Sequence, residues 1–257
     1  MTLHTPFTRY VALGDSFTEG VGDPDVTRPN GVRGWADRVA EVLATKSDEF
    51  RYANLAIRGR KLDRILDEQL EPALEMRPDL VSVYAGGNDI MRPKVDIDGL
   101  VKRYDAALGR LAATGATLVV FTAFDTAGSA LYGRIRGRFA LYNELLRPVI
   151  DKHGATLVDF WQLRDLRDWR HWDTDRLHLG PAGHQRIAMA VLDRLGVVHD
   201  LEPLPLDDRP KLTGREKAAA DLEWARDHAL PWIHRRLTGR SSGDLVSARR
   251  PTLAPFA

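Results

Sequence analysis

The sequence predicts an α/β protein with the architecture of a three-layer α/β sandwich. Short apolar runs, several of them β-branched, alternate with longer segments whose apolar residues recur at helical spacing, up to about residue 200. A regular alternation of strands and helices is typical of parallel β-α units with right-handed crossovers. The predicted strands cover 10–13, 50–57, 80–85, 117–123 and 156–160.

The predicted helices lie between these strands. Pro181 stands in the first turn of one of them, and Gly196 marks its end. The Gly- and Arg-rich segment 125–138 predicts an irregular loop over one edge of the sheet. The predicted helices cover 34–46, 61–76, 100–113, 139–153 and 181–195.

Composition excludes several classes of function. The 257 residues include no cysteine, which rules out disulfides, thiolate catalysis and cysteine metal sites. The formal net charge of +1 does not call for nucleic acid or an anionic membrane as a partner. No apolar stretch approaches a membrane span, and the N-terminus lacks a signal-peptide pattern. We therefore expect a cytoplasmic protein, unless an export signal has been removed.

The tripeptide Gly14-Asp15-Ser16 follows the first predicted strand. Open α/β folds keep their chemistry at the carboxyl edge of the strands, which makes Ser16 a candidate nucleophile. A serine hydroxyl needs a base to take its proton and donors to hold the charge that it creates. An ordinary turn has the same composition, so the rest of the chain must supply those partners.

A base for Ser16 is found in Asp175-Arg176-Leu177-His178. A histidine acts on a serine when one ring nitrogen faces the hydroxyl and a carboxylate holds the other. Asp175 lies three residues before His178 and can accept its Nδ1 proton across a tight turn. The alternative is a surface Asp and His that flank the start of a helix.

Two further segments offer hydrogen-bond donors for an oxyanion. Asn88, in Gly86-Gly87-Asn88-Asp89, follows the third predicted strand and carries a side-chain amide. Gly59 follows the second strand, and its backbone N–H, with that of Ser16, is another candidate donor. Turns built from Gly, Asn and Asp explain the same residues without catalysis.

These four blocks resemble those of the SGNH hydrolases, also called the GDSL esterases and lipases, of the bacterial type. The resemblance covers about residues 8–197. It implies a flavodoxin-like α/β/α sandwich with a five-stranded parallel sheet, and chemistry that requires no metal and no cofactor. It implies Ser16 as nucleophile, His178 as general base and acid, and Asp175 as the residue that orients the histidine. The implied oxyanion hole consists of Ser16, Gly59 and Asn88.

Three functions are consistent with this pattern. The leading hypothesis is a serine esterase that hydrolyses a small carboxylic ester, with a short-chain or acetyl group, through an acyl-enzyme. The second is an acyltransferase that uses the same triad to acylate an alcohol or sugar. The third is a non-catalytic binding protein that kept the fold, which the intact set of site residues disfavours. The loops at 22–33, 90–97 and 125–138 are expected to decide the acyl-chain length.

Other polar and aromatic residues near the blocks have two interpretations each. Arg58 and Arg60 flank the candidate glycine and either favour acidic substrates or, as we prefer, are solvated. His184 is expected to be a structural hydrogen-bonding residue. Trp169 and Trp172 either pin the loop before the triad or form a wall of the acyl pocket.

The chain divides into a hydrolase domain over 1–200 and an extension over 201–257. The extension starts with a proline-rich connector, and Thr213-Gly214-Arg215-Glu216 fits a capping box before a helix over 217–237. Tryptophans and leucines of this helix must be covered by the parent domain, which we favour, by a second copy in a homodimer, or by the active-site mouth. The stretch 241–257 predicts a mobile tail.

Overall fold

A central sheet forms from the apolar runs of the sequence. The computed structural model describes residues 6–127, 129, 132–208, 213–231, 234, 238 and 240–256. The strands of its sheet are β1 Arg9–Leu13, β2 Arg51–Asn54, β3 Leu80–Val83, β4 Thr117–Phe121, β5 Thr156–Val158 and β6 Arg250–Pro255.

Five of the strands are parallel and follow the order β2-β1-β3-β4-β5. The chain moves from β1 outward to β2 and then returns to place β3 on the other side of β1. Such a reversal of strand order opens a crevice beyond the carboxyl ends of the two inner strands. This is the predicted flavodoxin-like arrangement, and its crevice lies beyond Leu13 and Val83.

Helices cover both faces of the sheet because alternate strand residues point to opposite sides. Val11 and Leu13 belong to one core, with helices α6 and α7, whereas Tyr10 and Ala12 belong to the other, with α2 and α8. The helices are α1 Ser16–Glu19, α2 Gly34–Ala44, α3 Leu62–Ile65, α4 Glu71–Glu75, α5 Gly87–Ile90, α6 Ile97–Ala112, α7 Arg136–Lys152, α8 Pro181–Leu195 and α9 Gly214–Trp224.

The sheet has a sixth strand, so the predicted count of five is wrong. Strand β6 pairs antiparallel with β2 at the edge of the sheet, where a mobile tail was expected. The preceding Arg249 is buried and donates 2.6 Å to the Asp37 carboxylate, which is also buried. It donates as well to the carbonyl oxygens of Glu19 and Arg33, at 2.8 and 2.7 Å. These bonds hold the polar tail against the core.

Two predicted helices differ from the structure, one in its regularity and the other in its bounds. The segment 61–76 folds as α3 and α4 with a π-helical stretch, Leu66–Leu70, between them. Pro72 has no N–H to donate to the preceding turn, and such a gap is a common cause of a local change in helical register. Helix α7 starts at Arg136, so the predicted loop 125–138 is shorter than expected.

The extension begins as predicted. Thr213 and Glu216 form a capping box, and helix α9 leads into a π-helical stretch, Ala225–Ala229. Within the predicted helix, Trp232, Ile233 and residues 235–237 lie outside the described residues. Among the helices that the structure describes, none has the length and apolarity needed to cross a membrane.

Candidate active site

Ser16 lies at the start of helix α1, directly beyond the carboxyl end of β1. Gly14 takes a φ of 151°, and a Cβ there would lie 2.7 Å from the carbonyl oxygen of Tyr84. Only glycine fits this turn. The Gln69 amide holds it on both sides, accepting from the N–H of Gly14 at 2.8 Å and donating to its carbonyl at 2.9 Å.

Ser16, His178 and Asp175 form a continuous chain of hydrogen bonds. Ser16 Oγ lies 2.9 Å from His178 Nε2, and His178 Nδ1 lies 2.5 Å from Asp175 Oδ2. The other carboxylate oxygen of Asp175 accepts from the backbone N–H groups of Leu177 and His178, at 2.9 and 3.0 Å. The tight turn expected from the three-residue spacing therefore exists, and it places Asp175 on the ring nitrogen of His178 that does not face Ser16.

The carboxylate of Asp175 is strongly biased toward its charged form. Burial alone would raise its pKa, but the hydrogen bond and charge of His178 and two backbone N–H donors bring the pKa to about 2. Asp175 is therefore ionised at neutral pH. The negative charge of Asp175 beside His178 Nδ1 fixes the orientation of the imidazole and stabilises a positive charge on the ring.

Asp15 lies on the other side of Ser16 and has the opposite bias. Its Oδ1 accepts from the N–H of Phe17 at 3.0 Å, and its Oδ2 accepts from Asn88 Nδ2 at 2.9 Å. Burial raises the pKa of Asp15 to about 7, and these contacts do not offset it. Asp15 thus caps helix α1 and positions the Asn88 side chain.

The candidate oxyanion donors lie around the Ser16 hydroxyl. Ser16 and Gly59 line one cavity with Asn88. The amide of Asn88 also donates to the carbonyl oxygen of Arg60, at 3.0 Å, so both of its hydrogens have acceptors within the protein. The structure therefore brings the predicted residues together, but it shows the Asn88 amide already engaged.

Arg58 is half-buried, Arg60 is buried and both are ion-paired, contrary to our expectation that they are solvated. The Arg58 guanidinium donates to Glu19 Oε1 at 2.6 Å, and Glu19 also accepts from the backbone N–H of Arg58 at 2.6 Å. The side chain of Glu19 is fully buried. Arg60 is buried and pairs with Glu68 at 2.7 Å. Arg58 thus holds the Gly59 loop against helix α1, and Arg60 holds it against the π-helical stretch Leu66–Leu70.

An apolar pocket opens on one side of Ser16. Its volume is about 50 Å³, and aromatic side chains form much of its wall. The rings of Phe17 and Tyr84 lie 4.5 Å apart, and those of Phe124 and Trp172 lie 5.0 Å apart. Trp172 therefore serves as a pocket wall, while its Nε1 also pins the loop by donating to the Leu166 carbonyl at 2.7 Å.

A second cavity beside Ser16 is larger and more polar, with a volume of about 220 Å³. It shares Ser16, Asn88 and His178 with the apolar pocket. Its remaining walls come from the Gly59 loop and from the C-terminal extension. The residues of the extension that line it are Trp224, Asp227, His228, Pro231 and Ser242.

His184 is a structural residue, as predicted. Its Nδ1 accepts from the N–H of Trp35 at 3.2 Å, and its Nε2 donates to the carbonyl of Val21 at 3.1 Å. Burial lowers its pKa to about 4, which keeps the ring neutral. Within the described residues, no group of three or more His, Asp or Glu side chains is placed to hold a metal ion.

Sequence reasoning missed three residues that support the site. Gln69 lies seven residues after Leu62, on the apolar face of its predicted helix, and a polar residue at such a position was a usable signal. Glu19 carried no such signal, and for Trp224 the sequence predicted only that something covers it, with the active-site mouth as one of three candidates. Their contacts join segments that are distant in the chain, so only the fold reveals them.

An open α/β sandwich with a Ser-His-Asp chain at the carboxyl edge of its strands is the arrangement of a serine hydrolase. The model of the GDSL-like lipase/acylhydrolase family matches residues 12–186. The chain belongs to this family and is an ester-hydrolysing enzyme. No curated protein matches it.

Solved structures of related fold include an alpha/beta hydrolase enzyme from the metagenome of Lake Arreo, Spain. It is 24% identical, with a TM-score of 0.62, and the match covers 75% of this chain and 97% of that one. A catalytic mutant of an acetylxylan esterase from Geobacillus stearothermophilus is 20% identical, with a TM-score of 0.62, over 77% and 98% of the two chains. Nearly all of each neighbour thus corresponds to about three quarters of this chain.

Proposed function

We propose that the protein is a serine esterase that hydrolyses a short-chain carboxylic ester through an acyl-enzyme on Ser16. The observation that carries the proposal is the hydrogen-bond chain from Ser16 through His178 to Asp175, with distances of 2.9 and 2.5 Å. This chain opens onto a pocket that can receive an acyl group.

In the first half of the reaction, Ser16 Oγ attacks the carbonyl carbon of the ester while His178 Nε2 takes the hydroxyl proton. The ionised Asp175 stabilises the positive charge that forms on the ring. When the tetrahedral intermediate collapses, its carbon–oxygen bond to the alcohol breaks, and His178 gives its proton to the leaving oxygen. The acyl group remains on Ser16.

In the second half, water takes the place of the alcohol. His178 accepts a proton from the water as its oxygen attacks the acyl carbon, and returns a proton to Ser16 Oγ when the new intermediate collapses. The products are a carboxylic acid and free enzyme. Hydrolysis fits the acylhydrolase description of the family.

The oxyanion of each intermediate is held by donors that point into the site. The backbone N–H groups of Ser16 and Gly59 have no acceptor within the part of the chain that the structure describes. The third donor is Asn88 Nδ2, which keeps its bond to Asp15 and shares its other hydrogen between the Arg60 carbonyl and the oxyanion. Each such donor is worth about 10²–10³ in kcat in comparable sites.

The apolar pocket indicates a short acyl group. Its volume of about 50 Å³ is far below the roughly 300–1,000 Å³ of pockets that hold drug-sized ligands. An acetyl group fits such a space, and the acetylxylan esterase among the structural neighbours is consistent with this choice. We therefore propose acetyl esters as the preferred substrates.

The test is hydrolysis of p-nitrophenyl esters of increasing chain length. We expect kcat/KM to be highest for the acetate and to fall by more than about tenfold by the octanoate, because a long chain cannot enter the pocket. Ser16→Ala should lower kcat by about 10⁴–10⁶-fold, while Ser47→Ala, at a half-buried serine outside both cavities, should match the wild-type protein. Wild-type turnover by the Ser16→Ala protein would refute the proposal.

A further inference from the structure

The C-terminal extension forms part of the active-site wall. The family match ends at residue 186, and helix α9 and the segment after it lie beyond that point. Even so, residues from both parts of the extension line the polar cavity beside Ser16. The cavity therefore combines the common site of the family with a segment that the family match does not include.

Helix α9 is fastened to the loop that carries His178. The indole Nε1 of Trp224 donates to the backbone carbonyl of Asp175 at 3.0 Å. Arg176, between Asp175 and His178, pairs with Asp221 at 2.7 Å, and its guanidinium lies 4.9 Å from the centre of the Trp224 ring. The position of the helix is thus defined relative to the Ser16–His178 pair.

The segment after helix α9 packs directly on the Gly59 loop. A Cβ at Gly59 would lie 2.3 Å from Ser241 Oγ, and a Cβ at Gly243 would lie 2.1 Å from the carbonyl oxygen of Arg58. Gly243 thus lies against the backbone of the Gly59 loop, and Gly59 lies against the side chain of Ser241. Asp244 adds a longer ion pair to Arg60, at 3.6 Å. Ser242 of this segment and Gly59 of the loop both line the polar cavity.

The two cavities divide an ester into its two parts. Both include Ser16, Asn88 and His178, so an ester whose carbonyl carbon lies at Ser16 Oγ has a separate cavity available for each of its two parts. The apolar pocket of about 50 Å³ receives the acyl group, which leaves the polar cavity of about 220 Å³ for the alcohol. The alcohol side therefore faces Asp227, His228 and Ser242, which are all hydrogen-bonding residues.

The charges around the polar cavity are paired within the protein. Arg58 is bound to Glu19, Asp175 to His178, and the Asp227 carboxylate to Arg226 at 2.7 Å. One face of Trp224 is covered by the guanidinium of Arg176. A cavity with balanced charges and several hydrogen-bonding groups suits a neutral ligand with many hydroxyls better than an anion or a cation.

We propose that the C-terminal extension builds the binding site for the alcohol part of the substrate, and that this alcohol is a neutral polyol of the sugar class. This inference rests on the proposed esterase function and deepens it. The extension then supplies substrate specificity, with Asp227 and His228 as the residues that distinguish one alcohol from another.

The test compares four acetyl donors that differ in leaving group: an acetylated methyl glucoside, ethyl acetate, acetylcholine and acetyl-coenzyme A. We expect kcat/KM for the glucoside to exceed that for ethyl acetate by more than about tenfold, since only a polyol makes the added hydrogen bonds. In His228→Ala and Asp227→Ala, this ratio should fall by about tenfold. His199→Ala, beyond the far end of α8, is the matched control and should leave the ratio unchanged.

The outcomes separate the inference from the proposed function. Hydrolysis of ethyl acetate with no preference for the glucoside overturns the inference and leaves the esterase proposal standing. A preference for acetylcholine or acetyl-coenzyme A, or a glucoside ratio that both variants retain, also overturns it. If Ser16→Ala and the unchanged protein are equally inactive on all four donors, the esterase proposal fails and the inference fails with it.

Discussion

Two carboxylates lie on either side of the Ser16–His178 pair, and their surroundings act on them in opposite directions. Asp175 faces an imidazole and two backbone N–H groups, and its pKa falls to about 2 despite burial. Asp15 lies in the buried turn after β1, and burial raises its pKa to about 7. The same chemical group is thus a permanent anion in one place and near its titration midpoint in the other.

The difference lies in the partners that each position offers. Asp15 has one backbone N–H and the amide of Asn88, and the nearby acids Asp89 and Glu19 raise its pKa further. Only Asp175 touches the ring of His178. Charge is therefore concentrated where it can stabilise an imidazolium, while Asp15 positions side chains whether or not it is ionised.

Among changes that test the comparison of the two carboxylates, the largest expected effect is the loss of activity when the charge at Asp175 is removed. Asp175→Asn keeps the shape of the side chain but removes the anion and favours the wrong histidine tautomer, so kcat should fall by about 10³–10⁴-fold. Steady-state kinetics with p-nitrophenyl acetate measure it. Asp173→Asn, two residues away, is the control. A loss of less than about tenfold in Asp175→Asn would contradict the importance of its charge.

The opposite pKa shifts predict opposite dependences of stability on pH. Between about pH 4 and 7 the native protein holds a proton on Asp15 that the unfolded chain lacks. The protonated Asp15 therefore adds to the free energy of unfolding at low pH, and this stabilisation is lost as the pH rises. Relative to Asp15→Asn, the free energy of unfolding of the unchanged protein should fall by about 2–3 kcal/mol from pH 5 to 8.

For Asp175 the sign reverses, because its native pKa lies below its ordinary value of 3.8. The ionised Asp175 adds to the free energy of unfolding above about pH 4, and this stabilisation is lost as the pH falls toward 2. Relative to Asp175→Asn, stability should fall by about 1 kcal/mol from pH 5 to 3. Urea unfolding at each pH measures both effects. Slopes of the same sign for the two carboxylates would show that their environments do not differ in this way.

The smallest expected effect concerns how the two turns are supported. Gln69 of the core holds the Asp15 turn, whereas the Asp175 loop receives a hydrogen bond from Trp224 of the extension. Trp224→Phe removes one hydrogen bond, worth about 1 kcal/mol, and should lower kcat about three- to tenfold. Trp161→Phe, outside both cavities, should have no such effect. Equal kinetics in the two variants would indicate that the extension does not support the loop.

Local patterns predicted most of the fold. Helix α8 begins at Pro181 and ends at Leu195 as predicted, because a proline and a glycine mark its two ends. The strand β6 was not predicted, since its polar, proline-containing sequence lacks the apolar alternation of a strand. Its pairing depends on Arg249, whose buried contacts join residues more than 200 positions apart.

By itself, the sequence determined the strand-helix alternation and the residues that meet at Ser16, because each block follows directly from a strand and the carboxyl ends of parallel strands share one edge. The tertiary structure alone decided the electrostatics and the shape of the site. It paired Arg58 with Glu19, separated the pKa values of Asp15 and Asp175, and placed the extension beside Ser16. Burial and long-range contacts set these properties, and neither is encoded in the spacing of residues along the chain.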